Sequence, residues 1–306
     1  MNMLAKLSYA EFEVLQLLVC DGDKTTEKLP GLLVLLKTSQ ITEAVQTLTQ
    51  KKLIQNVQGT LSAQPSATEA LEPYKVKRAV ILAAGPGTRM QPETDTTPKA
   101  MVTVGDKRLI ETQLDALIAA DITDITVVRG YMGEIFDVLQ NKYPTIRYLD
   151  DPYWGGGALT STALAANLLG ESYLIEGDLF IRDPSIIRPY EYRSSYCGYP
   201  DAVVNDWYFD VDGGGLIKQL SFGDSNKDVY RYVGISYLTA NDANKLRPTL
   251  HVVTQSPAQY QGFVETTLFD TNAKDYQIYI RSVQPGSVTE IDTYKELLQL
   301  RARFSR

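Results

Sequence analysis

The stretch densest in chemistry is Leu82-Ala-Ala-Gly85-Pro-Gly87-Thr-Arg89-Met90, followed by Pro98-Lys99. It comes straight after the apolar run Ala79–Leu82, which reads as a buried strand. Glycines at that place let the backbone approach a phosphate, whose oxygens then accept from main-chain N–H groups. Arg89 and Lys99 add two cations spaced so that both can fold back over one triphosphate. The Gly-Lys-Ser/Thr of a P-loop is missing, and Met90 stands where a dinucleotide-binding fold needs its third glycine. Asp178 follows the apolar run Tyr173–Ile175, at the strand end where open α/β sheets bind ligands. Asp292 lies between a β-like run and the last helix. Two carboxylates far apart in sequence suit Mg2+, which takes few protein oxygens and completes its octahedron with phosphate and water. Asp292 also fits as the N-cap of that last helix.

The rest of the composition narrows the chemistry. His251 is the only histidine, which leaves no His-rich metal site and disfavours a Ser-His-Asp or Cys-His engine. Carboxylates, lysine, arginine, backbone amides and a hard cation must then do the work. Cys20 and Cys197 are too few for a disulfide scaffold or a Cys-rich zinc site, which points to a reducing, cytoplasmic compartment. The net charge of −7 argues against a general nucleic-acid coat protein. No window reaches the ~18 apolar residues of a membrane helix, and Met1–Lys6 does not read as a signal peptide. His251 and Cys197 are assigned no role.

The elements that must position these residues fall into two parts, as 306 residues suggest at roughly 150 per domain. From Arg78 onward, strands and helices alternate: Ala79–Leu82, helix 109–120, strand 124–128, helix 133–141, strand 146–149, helix 160–169, strand 173–175. Leu114, Leu117 and Ile118 are placed on the inner face of helix 109–120. Such alternation predicts an α/β fold with a mainly parallel sheet covered by helices. Shorter strands follow at 202–209, 216–222, 232–238 and 277–281, with helices near 241–248, 256–270 and 294–304.

Residues 1–73 read differently. Ser8 is placed as an N-cap before the stripe Phe12, Leu15, Val19; a second helix near 25–36 is interrupted by Pro30; a third after Ser39 turns Ile41, Val45 and Leu48 inward. Strands at 53–57 and 60–62 around Gly59 complete a winged helix-turn-helix pattern. Ser62–Thr68 reads as a linker, with a helical turn before Pro73. Residues 1–75 carry seven lysines against eight carboxylates and no arginine. That lacks the basic footprint of a DNA reader, so DNA is not the expected partner.

The motif Leu82-Ala-Ala-Gly85-x-Gly87-Thr-Arg89 with Pro98-Lys99 resembles the signature of nucleotidyltransferases that activate sugar 1-phosphates or phosphocholine. From about Lys75 onward the chain looks most like bacterial CTP:phosphocholine cytidylyltransferases, through Val128–Tyr131, Glu176–Phe180, Asn205–Phe209, Gly234–Tyr237 and Glu290–Tyr294. The resemblance implies a Rossmann-like nucleotide-diphospho-sugar-transferase domain at 74–306 with a mixed, mainly parallel sheet. It implies a nucleotide site of Leu82, Ala83, Ala84, Gly85, Gly87, Thr88, Arg89, Lys99 and Tyr131, with Arg89 and Lys99 catalytic. Asp178 and Asp292 are implied as ligands of Mg2+. CTP and phosphocholine would give CDP-choline and pyrophosphate.

A quaternary ammonium calls for an aromatic cage, because cation–π attraction suits a charge that donates no hydrogen bonds. Candidates are Trp207, Tyr208, Tyr237 and Phe263, with Asp206 or Glu265 as counter-charge. The chain departs from the relatives' pattern at Leu238, at Phe263-Val264 and at Gly155–Leu159. A sugar-1-phosphate or other phospho-alcohol nucleotidyltransferase is the alternative. A nucleotide-sensing transcription regulator is the alternative of another class, though sensing does not require Arg89, Lys99, Asp178 and Asp292 together. Oligomeric state and the N-terminal module's partner are left open.

Overall fold

The computed structural model describes residues 6–271 and 273–304, so the signal-peptide reading of the first five residues lies outside it. The chain divides into two compact units. The first comprises residues up to Lys75 with Tyr190–Tyr192 and Gly213–Gly215. Its elements are α1 (Tyr9–Asp21), β1 (Lys24–Thr25), α2 (Leu29–Leu32), α3 (Thr38–Gln50), β2 (Ile54–Val57), β3 (Thr60–Ala63) and α4 (Ser66–Leu71). Ser8 caps α1 in a reciprocal box with Glu11, satisfying donors that a helix start otherwise leaves unpaired. Phe12, Leu15, Ile41, Val45, Leu48 and Leu61 share one buried core.

Two expectations for this unit need correction. Pro30 does not interrupt a long helix; it stands in the first turn of the short α2, where its missing N–H costs nothing. Residues 62–68 are no linker. β3 ends and α4 begins there, and Ala67, Ala70 and Leu71 pack into the core, so small residues that read as linker are chosen for close packing.

The second unit takes Val76–Pro189, Arg193–Asp212 and Leu216 onward. Its elements run β4 (Arg78–Ala83), β5 (Thr103–Val104), β6 (Lys107–Arg108), α5 (Leu109–Ala119), β7 (Ile125–Arg129), β8 (Arg147–Asp150), α6 (Ala158–Leu164), β9 (Ser172–Glu176) and β10 (Leu179–Ile181). They continue with β11 (Ser195–Asp201), β12 (Val204–Val211), β13 (Ile217–Ser225), β14 (Val229–Leu238), α7 (Ala240–Gln255), α8 (Val264–Thr266), β15 (Tyr279–Ser282), β16 (Val288–Glu290) and α9 (Tyr294–Phe304). A nine-stranded mixed sheet runs β13-β12-β14-β9-β4-β7-β8, with β11 pairing β14 and β15. β9, β4, β7 and β8 are mutually parallel, and β14 joins β9 antiparallel.

Ala79 and Ile81 of β4, Val127 of β7 and Ile175 of β9 sit in the main core, which fixes the carboxyl ends of these strands side by side. β10 and β16 form a separate antiparallel pair in which Leu179 faces Glu290, and the Ile291 amide donates to the Asp178 carbonyl. That pairing brings two segments over a hundred residues apart to one place.

Local departures from expectation are small. Ile118 is exposed rather than inward, segment 133–141 winds as a 3-10 helix, and 257–271 is a chain of short turns around α8. Strand β11 was not read from the sequence; its Ser, Gly and Pro content hides it.

Candidate active site

A cavity of about 610 Å³ opens where β4 and β9 end, at the point where parallel-strand connections diverge to either side of the sheet. Leu82 to Arg89 form one wall and Lys99 crosses it. Gly87 makes the crossing possible: it adopts φ +61°, and a Cβ there would lie 2.8 Å from the Lys99 Cβ. Met90, the residue that breaks the dinucleotide motif, is a buried plug anchoring the turn Thr88–Met90.

Lys99 is the hub. Its Nζ donates to Asp178 Oδ2 at 2.6 Å and to Asp292 Oδ1 at 2.8 Å, and Arg89 Nη2 reaches the same Asp292 oxygen at 2.7 Å. Burial works to discharge the Lys99 amine, but attraction to Asp178 and Asp292 wins and raises its pKa above the ordinary lysine value. Asp292 is not the helix cap: Thr293 takes that place in a reciprocal box with Glu296, which frees the Asp292 carboxylate for the site.

Two more carboxylates join, which sequence reasoning passed over. Oxygens of Glu176, Asp178 and Glu290 lie within 4.8 Å of one another, and Asp178 Oδ1 is buried with no hydrogen-bond partner. Burial raises the carboxyls of Glu176 and Glu290 well above their ordinary range, and Asp178 adds to both. A divalent hard cation fits this donor set, since it would satisfy the orphaned oxygen and relieve the crowding. Among the described residues, Asp178 belongs to this cluster, whereas Asp292 is committed to Lys99 and Arg89.

The opposite end of the cavity is aromatic and acidic. The Trp207 ring lies 5.1 Å from Phe222 and 6.0 Å from Phe263, and Asp206 and Glu265 line the same region. The Glu265 carboxylate is buried and accepts from the Tyr196 hydroxyl at 2.9 Å and the Tyr232 hydroxyl at 3.3 Å; burial raises its pKa against these bonds. The Tyr232 hydroxyl also lies 2.8 Å from Glu176, so its single proton is shared between the two acidic groups. One backbone hydrogen bond, Leu159 N–H to Gly262 carbonyl at 2.9 Å, ties the first turn of α6 to the segment carrying Phe263 and Glu265.

Three expected site residues lie elsewhere. Tyr237 is buried in the main core with its ring 5.9 Å from Tyr173, because its position on β14 faces the packed side of the sheet. Tyr208 follows Trp207 on β12, and strand alternation turns it away from the cavity lining. Tyr131 stands behind the phosphate loop, its N–H bonded to the Ala84 carbonyl and its hydroxyl to the Thr94 carbonyl at 3.1 Å.

Comparison with known proteins agrees with this architecture. Residues 79–184 match the family described as the MobA-like NTP transferase domain. The fold and the cavity therefore define an NTP transferase. A 2-aminoethylphosphonate cytidylyltransferase of Lancefieldella rimae is 34% identical over 223 residues, 72% of this chain and 89% of that one. A choline-phosphate cytidylyltransferase of Streptococcus pneumoniae is 31% identical over 224 residues, 73% of this chain and 96% of that one. The solved structure of CTP:phosphocholine cytidylyltransferase from Streptococcus pneumoniae matches with a TM-score of 0.68 at 28% identity, over 74% of this chain and 99% of its own. The chain belongs to the cytidylyltransferase family. Among the described residues no helix is long and apolar enough to cross a membrane.

Proposed function

We propose that this protein transfers the cytidylyl group of CTP to the phosphate of phosphocholine, giving CDP-choline and pyrophosphate. The observation that carries the reading is the cavity's two-ended chemistry: a glycine loop with Arg89 and Lys99 at one end, aromatic rings with carboxylates at the other. A nucleoside triphosphate suits the first and a cationic amino alcohol the second. An acceptor phosphate oxygen attacks the α-phosphorus in line as the bond to the bridging oxygen breaks, and pyrophosphate leaves with that oxygen. The attacking phosphate is already ionised near neutral pH, so no general base is needed, which suits a chain with one histidine.

Backbone of Ala83–Gly87 approaches the nucleotide, and Arg89 and Lys99 hold the triphosphate and stabilise the departing charge. Asp178, with Glu176 and Glu290 beside it and Asp292 adjoining, would hold Mg2+, which when bound polarises the α-phosphate. Trp207 and Phe263, joined by Phe222, face the acceptor cation, and Asp206 and Glu265 balance its charge. The N-terminal unit of helices and small strands is read as a winged-helix module that does not bind DNA; a gel shift over a salt series checks this.

A second reading is favoured by the 34%-identical relative and by the absence of Tyr208 and Tyr237 from the cage: an aminoalkylphosphonate with a primary ammonium. Specificity constants for phosphocholine, phosphoethanolamine, 2-aminoethylphosphonate, glycerol 3-phosphate and glucose 1-phosphate, read by pyrophosphate release, decide between them. Preference for either uncharged-headgroup substrate would remove the cage from the mechanism.

A further inference from the structure

The geometry points to Trp154 as the ring on which the nucleobase of the donor nucleotide stacks. This rests on the nucleotidyl-transfer reading of the cavity and adds a residue to it. Trp154 lines the cavity with Ala84 and Gly85, and the residue is 39% exposed. It sits against Gly130, just beyond β7 on one side of β4, whereas Asp178 lies beyond β9 on the other side. A triphosphate laid over Lys99 and Asp178 therefore directs its nucleoside end toward Trp154.

The indole is also seated for the task. A Cβ on residue 130 would fall 2.4 Å from the Trp154 Cβ and 3.0 Å from the Ala84 carbonyl oxygen, so glycine alone leaves room for the tryptophan to press onto the strand ends. Tyr131 meets Trp154 edge to face, ring centres 5.6 Å apart at 64°, and is itself pinned by its bonds to Ala84 and Thr94. A ring held this way meets a base without first losing freedom of its own. Every base has a π-face, so Trp154 contributes affinity for the nucleoside rather than the choice of cytosine.

The chain has two tryptophans, one at each end of the cavity, which makes the test direct. In the Trp207→Phe variant, tryptophan emission reports Trp154 alone. CTP and cytidine monophosphate, without acceptor, are expected to quench it saturably, and tripolyphosphate to leave it unchanged. By calorimetry, Trp154→Ala should weaken CTP roughly tenfold, and Trp154→Phe should recover most of that loss. Tripolyphosphate affinity should stay the same in all three proteins. CTP binding seen by calorimetry with no change in Trp154 emission would overturn the assignment, as would equal weakening of tripolyphosphate. A purine nucleotide that binds and quenches where CTP does not would refute cytidylyl transfer and support the platform. Failure of every nucleotide to bind refutes both.

Discussion

Replacing Lys99 with methionine separates the two jobs the ammonium performs. Its nitrogen is 2.6 Å and 2.8 Å from two carboxylate oxygens, and the three side chains are only 15%, 20% and 28% exposed. At an effective dielectric near 20, each pair attracts by roughly 6 kcal/mol. Burying the ammonium and both carboxylates costs several kcal/mol for each of the three ions in the opposite sense, so the net is about 2–3 kcal/mol. Loss of that much should lower the unfolding midpoint of the metal-free chain by roughly 5–10 °C. Added Mg2+ should restore part of the loss, because a second cation can neutralise the stranded carboxylates. It should not restore turnover: without the charge that faces the triphosphate, the specificity constant should fall by about 2–4 kcal/mol, roughly 30- to 900-fold. Thermal unfolding with and without Mg2+, beside pyrophosphate release, reads both effects. An unchanged midpoint together with near-normal turnover would refute the reasoning.

Asp178→Asn should abolish Mg2+-stimulated turnover and the thermal stabilisation by Mg2+, since it removes the charge of the carboxylate whose buried oxygen has no partner. Asp292→Asn should impair turnover while keeping more of that stabilisation, because its oxygen serves Lys99 and Arg89; the same midpoint and turnover pairs check this. Trp207→Ala should raise the Michaelis constant of a cationic acceptor roughly 2- to 30-fold and leave that of CTP alone, tested by initial rates with each substrate varied. Glu93 accepts two hydrogen bonds from Arg301, which hold its carboxyl below the ordinary range. Its contribution to stability is thus present above an ordinary carboxyl pKa near 4.3 and lost as pH falls through the lower folded value. Urea unfolding on a pH series should show a shallower acid decline in Glu93→Gln than in the parent.

Much of this site was written locally, and that part was legible. A glycine loop after an apolar run, two cations and a carboxylate after a second run need only strand assignment to be placed. What stayed hidden depends on facing. Trp207 and Tyr208 are neighbours in sequence, and only the register of β12 against β13 and β14 decides which ring enters the cavity. Tyr237 carries the same aromatic signal as a cage residue, but β14 turns it into the core. The added carboxylates did leave a trace: Glu176-Gly-Asp178 and Glu290-Ile-Asp292 each space two acids by two, which places them on one face of extended chain. Nothing local marks Trp154, whose role comes from the absence of a side chain at Gly130. The supposed linker at 62–68 failed for a related reason, since small residues serve both loose chain and tight packing.

The hydrogen bond from Leu159 to Gly262 bears on how the donor and acceptor ends of the cavity are coupled. It fastens the first turn of α6, shortly after Trp154, to the segment that presents Phe263 and Glu265. Under the proposed reading, a donor nucleotide stacked on Trp154 would be felt at the second segment through this bond. Linkage then runs in both directions: whatever factor CTP gains in affinity from bound acceptor, the acceptor gains from bound CTP. A positive coupling of this kind would favour the ternary complex over either half-filled state.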